Sequence, residues 1–210
     1  MIRQDINKFL ASLPKDVTLV VASKYLNSKD ILFLYKEGVK NFGENRTDSF
    51  LIKKEELKEY TDIKWHFIGH LQTNKAKEMI NKIDVLHSLD SLKLANLIEK
   101  YRETPLDTFI EVSINLEENK NGVPYYNVKE FIKQILPLKK VKLVGLMMMA
   151  KKGSMDTNSQ FHKLRLLRDE LEKEFNIKLP YLSMGMSEDY LEAIKEKATH
   201  IRLGRILLEQ

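Results

Sequence analysis

Apolar positions along this chain switch repeatedly between two spacings. Short, nearly continuous apolar runs occur at residues 17–22, 41–42, 64–67, 85–88, 108–114, 141–147, 180–182 and 199–202. Their length and flanking turn residues predict buried strands. Between them lie amphipathic stretches at 29–37, 46–60, 75–83, 92–102, 128–136, 159–175 and 188–196, with a shorter one at 3–12 and a final turn from Arg205. The clearest helical period is "SQFHKLRLLRDELEKEF", where Phe161, Leu164, Leu167, Leu171 and Phe175 are spaced by 3, 3, 4 and 4.

Proline and glycine punctuate this order. Pro14, Pro105, Pro137 and Pro180 each stand just before a strand, where a preceding helix must stop. Gly43, Gly69, Gly185 and Gly204 follow strands closely. Eight strand–helix units in 210 residues, without a Gly/Ser/Pro linker, predict an α/β fold. It is a single (β/α)8 barrel domain over 1–210 with an extra N-terminal helix. An open doubly wound sheet is the alternative that pattern alone leaves.

Composition narrows the class. Hydrophobic residues at 43% and charged residues at 31% describe a water-soluble globular chain. With no cysteine, disulfides and thiolate metal sites are excluded. The opening "MIRQDINKFLASLPKD" carries charges at positions 3, 5 and 8, which breaks the apolar stretch of a signal peptide. No run reaches the roughly 20 apolar residues of a membrane helix, so the expectation is a cytoplasmic protein. The net charge of +5 comes from lysine interleaved with glutamate, as in "KKEELKEY" and "LEKEF". Such mixing reads as solvated helix faces, and no nucleic-acid or membrane partner is expected.

In a barrel, chemistry gathers at the carboxyl ends of the strands. Those ends carry Lys24, then Glu44 and Asn45, His66 to Gly69, Ser88 and Asp90, Asn115, Met148 and Met149, Ser183 to Ser187, and Arg202 to Gly204. A lysine closing the apolar run of strand one in "LVVASKYLNS" has three readings: a solvated side chain, a phosphate contact, or an amine that attacks a carbonyl. Ser187 followed by Glu188 and Asp189 in "LSMGMSEDYLEAI" reads as a helix N-cap, and the loop around Gly185 suits a phosphate. In "HIRLGR", Arg202 ends the last strand and Gly204 permits close backbone approach. His66 reads first as a hydrogen-bonded packing residue. His66 and His70 lack an HExxH context, so no metal site is expected.

Taken in order, "VVASKY", "NFGENR", "WHFIGHLQTNK", "LHSLDSLKLA", "SINLEENKNGV", "GLMMMA", "LSMGMSEDYLEAI" and "IRLG" resemble the signature blocks of the pyridoxal phosphate homeostasis protein family. The resemblance runs over residues 17–204. It implies the barrel of the alanine racemase N-terminal domain, a fold-type III pyridoxal phosphate protein, without that enzyme's second β domain. It further implies that Lys24 forms a Schiff base with pyridoxal 5′-phosphate. Ser183, Gly185, Ser187 and Gly204 would cradle the phosphate, Arg202 would face the pyridine nitrogen, and Asn45, His66 and Met149 would line the cofactor.

A cation beside the ring nitrogen keeps it unprotonated and weakens the electron sink. The resemblance therefore implies a cofactor carrier in vitamin B6 and amino-acid homeostasis, without established catalytic residues. Its implied recipients are apo-enzymes that use pyridoxal phosphate, and a monomer is expected. An amino-acid racemase of the same fold is the alternative. One departure stands out: Arg205 follows Gly204 where the family usually has a small hydroxyl residue.

Overall fold

The computed structural model describes residues 1–114, 121–151 and 156–209. Its strands are β1 (Thr18–Ala22), β2 (Asn41–Glu44), β3 (Lys64–Phe67), β4 (Val85–Leu89), β5 (Leu106–Ser113), β6 (Val123–Pro124), β7 (Val141–Met147), β8 (Tyr181–Ser183) and β9 (His200–Leu203). All pairs among them are parallel. The order β4-β3-β2-β1-β9-β8-β7-β5 is closed by the β4–β5 pairing, giving the eight-stranded barrel expected from the pattern. The two-residue β6 is a side branch on β5, which no sequence run announced.

Helices α1 (Ile6–Ser12), α2 (Ser28–Lys36), α3 (Thr47–Glu56), α4 (Thr73–Met79), α5 (Leu92–Tyr101), α6 (Val128–Ile135), α7 (Thr157–Phe175) and α8 (Tyr190–Lys195) follow the predicted order. Their starts and stops have local causes. Asn27 caps α2 in a reciprocal capping box with Asp30. Ser91 accepts from the Leu94 N–H at the start of α5. Asn176, at φ 50°, ends α7 in the left-handed conformation.

Two layers of packing result. The larger core lies between the strands and the helices, where Phe161, Leu164, Leu167 and Leu171 of α7 are buried as the period predicted. Trp65 of β3 meets Phe50 of α3 edge to face at 5.5 Å. A small separate cluster, Phe109, Val144 and Met147, belongs to β5 and β7. Polar side chains share the buried strands: His66, His87, His200, Ser183, Arg202 and Glu111 are all buried. Barrel interiors are usually filled by branched apolar residues, so this polar filling marks the site.

Close strand contact at β7–β8 sets a testable limit. A Cβ placed on Gly145 would lie 2.0 Å from the Tyr181 carbonyl oxygen, its neighbour in register. Gly145→Ala is therefore expected to cost about 1–3 kcal/mol or more through overpacking. A urea unfolding series measures it. A midpoint unchanged from wild type would show that the two strands can part without cost.

Candidate functional site

The carboxyl ends of the strands enclose a cleft of about 510 Å³, within the range of small-molecule sites. Six of the nine residues anticipated from sequence line it: Lys24, Asn45, Met149, Ser187, Arg202 and Gly204. His66, Ser183 and Gly185 do not line it, and Asn115 lies outside the described residues.

Lys24 sits in a one-turn 3-10 helix, Ser23–Tyr25, directly after β1. Its side chain is exposed to the cleft, with Nζ 4.5 Å from the centre of the Tyr25 ring. The turn is held from behind. Lys53 of α3, only 7% exposed, donates from Nζ to the Ser23 carbonyl oxygen at 2.7 Å and to Glu44 Oε1. Ser23 Oγ lies 2.7 Å from the same carboxylate oxygen. Glu44, expected at the pocket lining, is instead fully buried in this ion pair. The reason is strand alternation: Asn45 takes the cleft side, so Glu44 points away from it. Glu44 Oε2 and Asn45 Oδ1 are buried without a hydrogen-bond partner among the described residues.

Arg202 enters the cleft from β9 and is 4% exposed. Its guanidinium has no ion-pair partner among the described residues. It donates to Ser183 Oγ at 2.6 Å and to the Met148 carbonyl oxygen at 2.8 Å. Burial lowers its pKa to about 10, so it remains a cation at neutral pH, with Glu111 and Asp189 opposing the shift. Ser183 Oγ also lies 2.8 Å from His87 Nδ1, His87 Nε2 lies 2.9 Å from His66 Nδ1, and His66 Nε2 lies 3.0 Å from Asn41 Oδ1.

That chain crosses the barrel from β8 to β4, β3 and β2, beneath the cleft floor. Two residues that the resemblance places at the cofactor, His66 and Ser183, belong to this chain and not to the cleft lining. His66 does not line the cleft; its ring is fixed between His87 and Asn41, as the packing reading held. Ser183 is fully buried, engaged with Arg202 and His87, and absent from the cleft lining. Burial first, and neighbouring charge second, lowers the pKa of His66 to about 3, that of His200 to about 4, and that of His87 well below its usual value.

The loop after β8 also differs in detail from expectation. Helix α8 starts at Tyr190, so Ser187 is not its N-cap. Asp189 Oδ1 accepts from the Met186 N–H at 2.6 Å, which ties residues 186–189 into a turn. Gly185 sets that turn from below with φ 92°, a conformation glycine adopts without strain. Ser187 Oγ is left facing two backbone N–H groups, Gly204 at 3.4 Å and Ile206 at 3.3 Å. Both contacts are long for hydrogen bonds. Arg205 at the cleft margin pairs with Glu188 at 2.5 Å.

Three residues escaped the sequence reading. Lys53 sits in "SFLIKKEE", where nothing separates it from the half-buried Lys54 beside it. His87 and Glu111 each interrupt an apolar strand, in "VLHSL" and "FIEVS", and that interruption was the available signal. Glu111 lines the cleft at 5% exposure, and its carboxylate makes no hydrogen bond among the described residues. Burial, and then the charge of Asp90, raises its pKa to about 7. Asp90 itself meets His70 Nδ1 at 2.8 Å.

Residues 6–209 match the family described as the alanine racemase N-terminal domain. The pyridoxal phosphate homeostasis protein of Aquifex aeolicus is 45% identical over 194 residues, covering 90% of this chain and 85% of that protein. Its namesake from Synechocystis is 37% identical over 207 residues, covering 96% and 94%. The structure of PipY from Synechococcus elongatus without PLP superposes with a TM-score of 0.94 at 31% identity, covering 100% of both chains. The same protein with PLP bound gives 0.90, covering 97% of this chain and 100% of that one. Alanine racemase of Clostridium difficile shares the fold alone, with a TM-score of 0.78 at 18% identity over 58% of its length.

The buried histidines make stability depend on pH with a definite sign. Each has a folded pKa below its unfolded value of about 6.5, so below that pH the unfolded chain binds protons that the folded chain refuses. Stability must fall as pH drops from about 6.5 towards the folded values, by up to about 1.4 kcal/mol per pH unit for each histidine. Glu111, with its raised pKa, works in the opposite direction between about 7 and the usual carboxylate range. Urea midpoints from pH 7 to pH 4.5 should therefore fall steadily, and more steeply in Glu111→Gln. A flat profile would show that the imidazoles are not buried and neutral.

Proposed function

The chain belongs to the pyridoxal phosphate homeostasis protein family, and on that footing we propose that its cleft holds pyridoxal 5′-phosphate through Lys24. The observation that carries this reading is the placing, in the same cleft, of one exposed lysine and one buried arginine that has no ion-pair partner among the described residues.

The residues present suit the group. Asn45 carries a buried amide oxygen with no partner among the described residues, a demand that a hydrogen-bond donor on a ligand would meet. The Gly204 and Ile206 N–H groups converge loosely on the Ser187 hydroxyl, where a phosphate oxygen would find three donors. A Cβ on Gly204 would sit 3.3 Å from the Ala22 carbonyl oxygen, so glycine keeps this corner open. When bound, pyridoxal phosphate supplies an aldehyde carbon open to attack by a primary amine.

Lys24 provides that amine, on a turn fixed by Lys53 and Glu44. Arg202 would face the ring nitrogen, and as a cation it disfavours a proton there. Ser187, Gly204 and the Ile206 N–H would hold the phosphate, with Gly185 shaping the turn that presents Ser187. Asn45 and Met149 would flank the ring. Arg205, tied to Glu188, would add positive charge at the margin. His66 and Ser183 serve Arg202 and do not touch the ligand.

We read the activity as carrying the cofactor in vitamin B6 homeostasis, with apo-enzymes that use it as recipients, and not as sustained racemisation. The relatives named above are homeostasis proteins by name, which supports this reading. The protein is taken to work as a single-barrel monomer.

Borohydride reduction of the protein mixed with pyridoxal phosphate, followed by peptide mapping, tests the anchor. The label is expected on Lys24 at one per chain, and Lys24→Ala should lose it. Labelling spread over surface lysines would remove the anchor. Sustained conversion of L-alanine to D-alanine by the loaded protein would replace the carrier reading with an enzymatic one.

A further inference from the structure

We infer that His87 and His66 are positioning residues for Arg202, acting through a one-way hydrogen-bond chain that runs Ser183 to His87 to His66 to Asn41. The direction of this chain follows from its two ends. A guanidinium can only donate, so at 2.6 Å Ser183 Oγ accepts from Arg202. Ser183 is fully buried, and His87 Nδ1 at 2.8 Å is the acceptor within reach of its hydroxyl proton. Leaving that proton unpaired would cost about 1–3 kcal/mol.

Asn41 Oδ1, at the far end, can only accept, so His66 Nε2 carries a proton. A neutral His66 then accepts at Nδ1, and His87 must donate from Nε2 across 2.9 Å. Working inward from either end assigns the same tautomer, Nε2–H, to both histidines. The ring of His87 is fixed further by stacking on Phe109, with centroids 4.4 Å apart and planes at 18°.

This arrangement explains why a buried arginine is held by a hydroxyl and a carbonyl and not by a carboxylate. A carboxylate would cancel its charge, whereas a neutral chain fixes the guanidinium and leaves that charge directed at the cleft. It also makes Ser183 unavailable as a donor to any ligand. Reversing the chain by turning the Asn41 amide over would place the protons on both Nδ1 atoms. Ser183 would then accept twice, and its own proton would be released. The two directions are therefore distinguishable by tautomer.

The consequence for Arg202 rests on the proposed cofactor site, but the chain itself does not. Long-range 1H–15N spectra of the ligand-free protein between pH 6 and 8 test it, with His66→Gln and His87→Gln assigning the signals. Both rings are expected as neutral Nε2–H tautomers that do not titrate in this range. Nδ1–H tautomers, or a ring that titrates, would overturn the chain. In a second arm, Ser183→Ala is expected to weaken binding of pyridoxine 5′-phosphate, which cannot react with Lys24, about tenfold or more. Ser183→Thr, which keeps the hydroxyl, should restore it. Unchanged binding in Ser183→Ala, with wild-type binding intact, would refute the positioning role. Absent binding in wild type too would refute the cofactor site and leave the spectra to decide the chain.

Discussion

The pairing of the first barrel strand, β1, with the last, β9, organises everything else in this molecule. Its register pairs Thr18 with His200, Val20 with Arg202 and Val21 with Leu203. With all neighbouring strands parallel, every carboxyl end emerges on one rim. That brings Lys24, from the start of the chain, beside Arg202 and Gly204, from its end. An open sheet of the same elements would leave β1 flanked by other neighbours and these residues apart. The functional cleft is thus a product of closure, and the amine and the guanidinium are neighbours in space although 178 positions apart (202 − 24).

Closure creates a second requirement. Arg202 and three histidines fill space that branched apolar side chains occupy in most barrels, and a buried charge is tolerated only with hydrogen bonds around it. His66 and His87 meet this by remaining neutral and passing hydrogen bonds towards Asn41, while His200 Nδ1 lies 3.0 Å from Thr199 Oγ1. Lys53 and Glu44 solve the same problem on the other side of β1, as a buried ion pair that fixes the Lys24 turn. Removing one member of such a pair typically costs about 3–5 kcal/mol. Both networks therefore set positions at the cleft while depending on intact partners.

The fold was largely legible because its signals are local. Apolar runs, the α7 period and the prolines before strands name the elements in order, although pattern alone leaves an open doubly wound sheet beside the barrel. Lys24, Asn45, Ser187, Arg202 and Gly204 were legible because each lies at or just beyond the carboxyl end of a strand. Other features were not, since they depend on pairs far apart in the chain. Nothing local in "SFLIKKEE" says that Lys53 is buried against Glu44. Nothing local in "LSMG" says that Ser183 faces Arg202 and not the cleft. Strand alternation separated Glu44 from Asn45, and the turn made by Asp189 with Met186 moved the start of α8 past Ser187.

A crystal structure of the protein grown with pyridoxal 5′-phosphate tests the central claim most directly. Density continuous with Lys24 Nζ is expected, with the ring nitrogen facing Arg202 and the phosphate against Ser187, Gly204 and the Ile206 N–H. Ligand bound elsewhere on the surface, or in the cleft with its phosphate on Arg202, would contradict it.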